Sequence, residues 1–159
     1  MKNKKILVIV IVVLFVMITI IVLFIKRSNG FKTVNSLLTN LENTINNEDS
    51  DKIIDFYPDF IKSSLPNFSE NKIKEFHNLV GDISFEITHQ NKCNTEEILS
   101  QQDEINSEYN CNIKLEGYQI LICKYHEDLG ESIYELIKID GRWYLYYLGY
   151  LPEPLNYFE

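Results

Sequence analysis

The chain of 159 residues contains no alanine, and basic residues are scarce in most of it. All 23 acidic residues lie after residue 27, together with only 10 of the 15 lysines and arginines, so that part carries a net charge of −13. A nucleic-acid-binding surface needs the opposite charge, and we therefore expect no nucleic-acid partner. The missing alanine, two arginines against 13 lysines and abundant isoleucine and asparagine indicate an AT-rich genome, such as that of a low-GC bacterium.

Charged residues, glycine and proline are missing from residues 6–25. At about 1.5 Å per residue, a helix of this length spans about 30 Å, the thickness of a bilayer's hydrocarbon core. A cleaved signal peptide would have a shorter apolar run and an A-x-A-like cleavage site, which a chain without alanine cannot have. We therefore expect a short tail at 1–5, a retained transmembrane anchor at 6–25 and a linker at 26–30.

Positive charges flank this run on both sides and only slightly favour a cytoplasmic N-terminus. The flanking residues are Lys2, Lys4 and Lys5 before the run, and Lys26, Arg27 and Lys32 after it. The short N-terminal tail is typical of a signal-anchor that exports the rest of the chain. The sequence thus predicts a single-pass cell-membrane protein, held in the lipid bilayer, with its domain outside the cytoplasm. The sequence does not determine its oligomeric state.

Residues 31–150 have the pattern of one α+β domain, followed by a tail at 151–159. Helical periodicity predicts helices at 31–47, 51–65, 70–80 and 95–109. The second of these is capped by Ser50 and split near Pro58, and the third is opened by Ser69. The last is capped by Asn94 with Glu97. Alternation of polar and apolar residues predicts mainly antiparallel strands at 82–90, 111–126, 132–139 and 142–150. Asp140-Gly141 predicts a type I′ hairpin turn between the last two.

Three segments together resemble the nuclear transport factor 2-like superfamily, especially its small membrane-anchored bacterial members of unknown function. They are FYPDFIKSSLPNFSE at 56–70, the strand–helix–strand order at 82–123, and the hairpin ELIKIDGRWYLYYLG at 135–149. The resemblance implies a cone-shaped domain, in which a curved sheet wraps over helices and often encloses a pocket. The superfamily contains both enzymes and binding modules, so the fold alone does not choose between them.

Three cysteines allow at most one intramolecular disulfide. Cys93 and Cys111 flank the helix predicted at 95–109 and would form a disulfide if that helix packs back; the alternative is three free thiols. These two cysteines, together with His89, Cys123 and His126, could be considered as metal ligands, but their spacing lacks the closely spaced pairs of structural zinc sites. We therefore expect neither a metal nor a cofactor.

Aromatic residues are concentrated near the C-terminus. In the strand at 142–150, simple alternation places Tyr144, Tyr146 and Leu148 on one face and Trp143, Leu145 and Tyr147 on the other. Both faces are apolar or amphipathic, which indicates a strand covered by helices on one side and by a partner, a ligand or the tail on the other. The candidate binding residues are Tyr118, Tyr134, Trp143, Tyr144 and Tyr146.

The leading functional hypothesis is a non-enzymatic binding module of the cell envelope, with a protein or a small apolar ligand as its partner. A small enzyme is the main alternative, using a pocket carboxylate beside a tyrosine for acid/base chemistry. Asp55, Asp59 and Glu135 are candidates for that carboxylate by position. A third hypothesis is an immunity or interaction protein whose acidity attracts a basic partner.

Overall fold

The computed structural model of the chain describes residues 30–65, 70–124 and 131–150, with side chains from 73 in the second range and up to 148 in the third. The predicted anchor at 6–25, Ser69, His126 and the tail at 151–159 lie outside the described residues. Among the residues that are described, no helix is long and apolar enough to cross a membrane.

Five helices and four strands make up the described domain, which confirms the predicted α+β class. The helices are α1 (Val34–Asn46), α2 (Ser50–Ile53), α3 (Asp59–Lys62), α4 (Glu70–Val80) and α5 (Thr95–Glu108), with a 3-10 turn at Ile54–Phe56. The strands are β1 (Glu86–Lys92), β2 (Gly117–Lys124), β3 (Glu131–Ile139) and β4 (Arg142–Tyr150). They form one antiparallel sheet in the order β1-β2-β3-β4.

The split predicted near Pro58 is confirmed. Tyr57 is extended, with φ −102° and ψ 147°, and Pro58 occupies the N-cap position of α3. This is the backbone conformation that a following proline favours. The predicted Ser50 cap is wrong by one residue: Asp49 holds the N-cap position of α2, and its carboxylate bonds to Lys52 Nζ.

The first predicted strand is displaced toward the C-terminus. It begins at Glu86 rather than 82, and its side chains are mostly exposed. The preceding backbone bonds to α1 instead of to a strand, because Asn46 both donates to the Ile83 carbonyl (2.9 Å) and accepts from the Ile83 amide (2.8 Å). Glu42 accepts from the Phe85 amide at 3.1 Å. The backbone at the buried Ile83 and the half-buried Phe85 is therefore bonded to side chains of α1 and not to a strand.

The second predicted strand is also shorter than expected, since β2 begins at Gly117 and not at 111. Side chains of α5 hold the residues before it. Asn106 accepts from the Ile113 amide at 2.7 Å, and Gln102 accepts from the Leu115 amide at 2.9 Å. These bonds satisfy backbone groups that a strand would otherwise pair.

The two faces of the sheet pack against different helices. One face packs against α1–α4 through a core that includes Leu121, Tyr134, Leu136 and Leu145. The opposite face, which we call the α5 face, contributes Tyr118 and Ile137 to a second core with Ile105 of α5. The turn joining β3 and β4 has positive φ at Asp140 (50°) and Gly141 (73°), which confirms the type I′ prediction.

A β-bulge in β4 corrects the predicted assignment of aromatic residues to faces. Leu145 lies opposite Leu136, but Tyr147 lies opposite Glu135, so Tyr146 is the extra residue. Because opposed residues share a face, Tyr147 joins Tyr146 on the α5 face. The prediction that Tyr147 shares a face with Trp143 and Leu145 is therefore wrong, because simple alternation ignores the inserted residue.

Candidate functional site

A cleft of about 640 Å³ opens between α5 and the sheet, and we call it the α5 cleft. Its helical wall consists of five residues of α5 and the C-cap residue that follows: Glu97, Ser100, Gln101, Glu104, Glu108 and Tyr109. The sheet side consists of Asn91, Cys93, Tyr118, Ile120, Glu135, Tyr146 and Tyr147. Side chains from all four strands thus meet one polar face of one helix.

The helical wall follows from the spacing of polar residues in α5. Glu97, Gln101, Glu104 and Glu108 recur at intervals of four, three and four, and so lie on one side of the helix. The capping box predicted for this helix is confirmed, with Asn94 Oδ1 accepting from the Glu97 amide (3.1 Å) and Glu97 Oε2 accepting from the Asn94 amide (2.7 Å). Glu97 therefore both starts the helix and lines the cleft.

The neighbouring side of α5 holds the helix on the sheet. Ile105 is fully buried between the helix and the α5 face. Gln102 and Asn106 bond to the segment that leads into β2, which fixes the spacing between helix and strand. The cleft therefore has two walls that are fixed by the fold itself.

Glu135 lies on the sheet side of the cleft, in the middle of an otherwise apolar strand face. Its neighbours on that face of β3 are the buried Ile133 and Ile137. The hydroxyl of Tyr118, itself 4% exposed, donates a hydrogen bond to Glu135 Oε2. Burial, and then the Glu135 carboxylate, raise the pKa of Tyr118 well above its usual range, so the phenol stays protonated and remains a donor.

A second tyrosine–carboxylate pair joins the sheet to α5. The Tyr146 hydroxyl donates to Glu108 Oε2 at 3.2 Å. Burial raises the pKa of Tyr146 strongly, with a further contribution from Glu108. The Tyr146 ring lies edge-on to Tyr118 and to Tyr109, with centroid distances of 6.5 Å in each case. Three tyrosine rings thus form a connected aromatic wall.

The lining carries charge of one sign. Four of the described lining residues are glutamates, and the described lining contains no Lys, Arg or His. Cys93, the residue after β1, adds a thiol whose pKa is raised by burial and then by Glu97. A raised pKa disfavours the thiolate, so the cleft does not activate Cys93 as a nucleophile.

Two of the five predicted binding residues, Tyr118 and Tyr146, line the cleft, and three do not. Tyr134 belongs to the core on the opposite face, where its ring lies edge-on to Phe85 at 5.5 Å. Trp143 packs on Gly117, and its backbone pairs with Phe31. Tyr144 lies against Gly30, where an added Cβ would be 2.5 Å from the Tyr144 ring.

Among the candidate carboxylates, only Glu135 reaches the cleft. Asp55 and Asp59 are exposed on the segments at Ile54–Phe56 and α3, and Asp59 pairs with Lys62 at 2.7 Å. Sequence reasoning missed Glu97, Glu104 and Glu108 as site residues, although their helical spacing is visible in the sequence. That spacing alone does not distinguish a wall facing a cleft from an exposed surface.

The three cysteines are free thiols in the structure. Cys111 does not pair with Cys93, and its Sγ lies 3.3 Å from Asn106 Oδ1, to which it donates. Cys123 is buried in the core between the sheet and α1–α4. Within the described part of the chain, no group of three or more His, Cys, Asp and Glu side chains is arranged to hold a metal ion.

No family model matches the chain, and neither a curated protein nor a solved structure is significantly similar to it. Function must therefore be inferred from the chain's own geometry, above all from the α5 cleft. That cleft combines fixed walls, a connected set of tyrosine rings and four carboxylates.

Proposed function

We propose that this chain is a single-pass, membrane-anchored and non-enzymatic binding module of the bacterial cell envelope, with its ligand site in the α5 cleft. Residues 6–25 anchor it in the bilayer, and the domain, a cone of the nuclear transport factor 2-like kind, faces out of the cytoplasm. The cleft is the observation that carries this proposal, because its volume of about 640 Å³ lies within the range of about 300–1,000 Å³ usual for small-molecule sites.

The fixed walls of the cleft support binding. Side-chain bonds from Gln102 and Asn106 attach α5 to the segment before β2, and the capping box at Asn94 fixes the start of the helix. Hydrogen bonds to carboxylates orient Tyr118 and Tyr146. A site whose side chains are already ordered loses little conformational entropy when a ligand enters.

A cleft-filling variant tests the proposal. The full chain in neutral maltoside micelles is screened against a fragment library by saturation-transfer NMR. Ser100 lines the cleft, so Ser100→Trp should abolish the hits, whereas Ser107→Trp, exposed on the same helix outside the lining, should retain them. Equal hit lists for both variants, or no hits with the wild-type chain, would refute the proposal.

A second function is favoured by one observation, the hydrogen bond from Tyr118 to Glu135 in the cleft. A carboxylate beside a phenol can take a proton from the carbon next to a carbonyl, while the C–H electron pair forms a carbon–carbon double bond and the carbonyl π pair moves to the oxygen to give an enolate. Deuterium exchange into cyclohexanone, followed by NMR, tests this function. An enzyme should lose about 100-fold in exchange rate on Glu135→Gln and keep its rate on Glu131→Gln, which lies outside the lining. An exchange rate with the wild-type chain that equals the rate in buffer alone would rule out this function.

A further inference from the structure

We infer that the α5 cleft selects ligands that carry an organic cation, either an alkylammonium or a guanidinium group. This inference rests on the proposed function, since it assigns a ligand class to the same cleft. It is carried by three features of the cleft: its aromatic wall, the position of Glu135 and the sign of the charges around it.

The aromatic wall is the first of these features. Tyr146 lies edge-on to both Tyr109 and Tyr118, and Tyr147, 51% exposed, lies beside it at the bulge. Aromatic rings attract organic cations through their electron-rich faces within about 6 Å. The hydroxyls of Tyr118 and Tyr146 donate to carboxylates, so both rings are held in fixed orientations at the cleft.

Glu135 is the second feature, and it favours cations through the cost of desolvation. It is half-buried between Ile133 and Ile137, and a ligand in the cleft would remove more water from it. Burying a carboxylate against a neutral ligand is unfavourable unless a new hydrogen bond or an opposite charge replaces the lost water, so cationic ligands are favoured. The carboxylate has about four acceptor positions, and the Tyr118 hydroxyl takes one.

The sign of the charges around the cleft is the third feature. Glu97, Glu104 and Glu108 on α5 face Glu135 across the cleft, without a basic residue among the described lining. An anionic ligand would meet four carboxylates and be repelled. A cation would be attracted by all four carboxylates, and Ile120 offers an apolar contact for the hydrocarbon group that carries the charge.

Three probes that share one ring and differ in charge test the inference: benzyltrimethylammonium, benzyl alcohol and benzenesulfonate. Their affinities are measured by NMR titration of the full chain in neutral maltoside micelles. We expect benzyltrimethylammonium to bind at least about tenfold more tightly than benzyl alcohol, and benzenesulfonate to bind most weakly. The cation's affinity should fall about tenfold on Glu135→Gln, while the control Glu131→Gln, which removes the same charge elsewhere, should leave it within about twofold.

A second variant carries two changes at exposed positions, Glu104→Gln and Glu108→Gln, and keeps the test valid if Glu135→Gln fails to fold. It should also lower the affinity for benzyltrimethylammonium. Equal or tighter binding of benzyl alcohol or benzenesulfonate would overturn the cation inference. If no probe binds while the fragment screen still gives hits that Ser100→Trp abolishes, the cation inference fails and the proposed function stands. If both experiments are negative, both fail.

Discussion

At the scale of single residues, Glu135 and Tyr118 show what the sequence could and could not predict. Glu135 is a candidate carboxylate by its position on a predicted strand, and its apolar neighbours Ile133 and Ile137 are visible in the sequence. Its hydrogen bond to Tyr118 depends on the pairing of β2 with β3, in which Tyr118 lies opposite Ile137 and so next to Glu135 on the α5 face. That register is set by tertiary packing, so residue types alone do not predict the pair.

Removing the Tyr118 hydroxyl should destabilise the domain. Tyr118→Phe leaves a half-buried carboxylate without its phenolic donor, and we expect a loss of about 1–2 kcal/mol in the free energy of unfolding. The single tryptophan, Trp143, reports unfolding by urea through its fluorescence. Tyr147→Phe, at an exposed position, serves as the control and should change stability by less than about 0.5 kcal/mol. Equal losses for both variants would contradict the assigned role of the hydroxyl.

At the scale of elements, the extent of α5 was predicted correctly, but its role as one wall of a cleft was not. Its cap, its length and its few apolar residues are sequence properties, and the helix at Thr95–Glu108 confirms them. Whether its polar stripe faces solvent or a cleft depends on how Gln102 and Asn106 attach it to the segment before β2. Bonds between helix side chains and the backbone of the segment that follows leave no periodic signal in the sequence.

The starts of β1 and β2 and the bulge in β4 were missed for a related reason. Ile83, Phe85, Ile113 and Leu115 all satisfy the apolar alternation of a strand, but side chains of α1 and α5 bond their backbone. The bulge at Tyr146 inserts one residue into a regular alternation, and the local sequence does not mark it.

Loss of the α5 cap should be measurable in stability. Asn94→Ala removes the acceptor for two backbone amides of the first turn, so we expect a loss of about 1 kcal/mol in the free energy of unfolding. The matched control is Asn78→Ala, an exposed position within α4, where alanine should be neutral or slightly stabilising. Urea unfolding followed by Trp143 fluorescence measures both. An unchanged midpoint for Asn94→Ala would contradict the capping role.

His77 links the end of α4 to two other segments and makes stability depend on pH. Its Nδ1 lies 3.0 Å from Glu48 Oε1 and its Nε2 3.0 Å from Asp82 Oδ1. Both nitrogens can donate only in the protonated ring, and the hydrogen bonds to Asp82 and then Glu48 raise the pKa of His77 above its ordinary value. The stabilisation is therefore complete below a pH of about 6.5 and is lost as pH rises through the raised pKa of the folded state.

The His77→Asn variant tests this pH dependence. The difference in stability between the wild-type chain and the variant should be largest near pH 6 and should shrink toward pH 9, as measured by urea unfolding across that range. Asn78→Ala, at the exposed position on the same helix that does not titrate, is the control and should follow the wild-type pH dependence. A difference between wild type and His77→Asn that stays constant with pH would show that the imidazolium does not contribute.

At the scale of the whole molecule, a predicted anchor at 6–25 precedes a domain whose acidity is concentrated beyond residue 27. Protease treatment of intact cells that express the chain with a C-terminal tag tests the predicted orientation. An exported domain should lose its tag without lysis, and a denatured sample confirms that the protease can cleave it. A tag that survives until lysis would reverse the orientation and place the partner in the cytoplasm.

The most direct test of the central claim locates where ligands bind. Amide chemical shifts of the ¹⁵N-labelled full chain in neutral maltoside micelles are recorded with each hit from the fragment screen. We predict that the largest changes fall on residues of both cleft walls, among them Glu97, Glu104, Tyr118 and Glu135. Changes centred instead on the opposite face of the sheet, around Tyr134 and Leu136, would contradict the assignment of the α5 cleft as the ligand site.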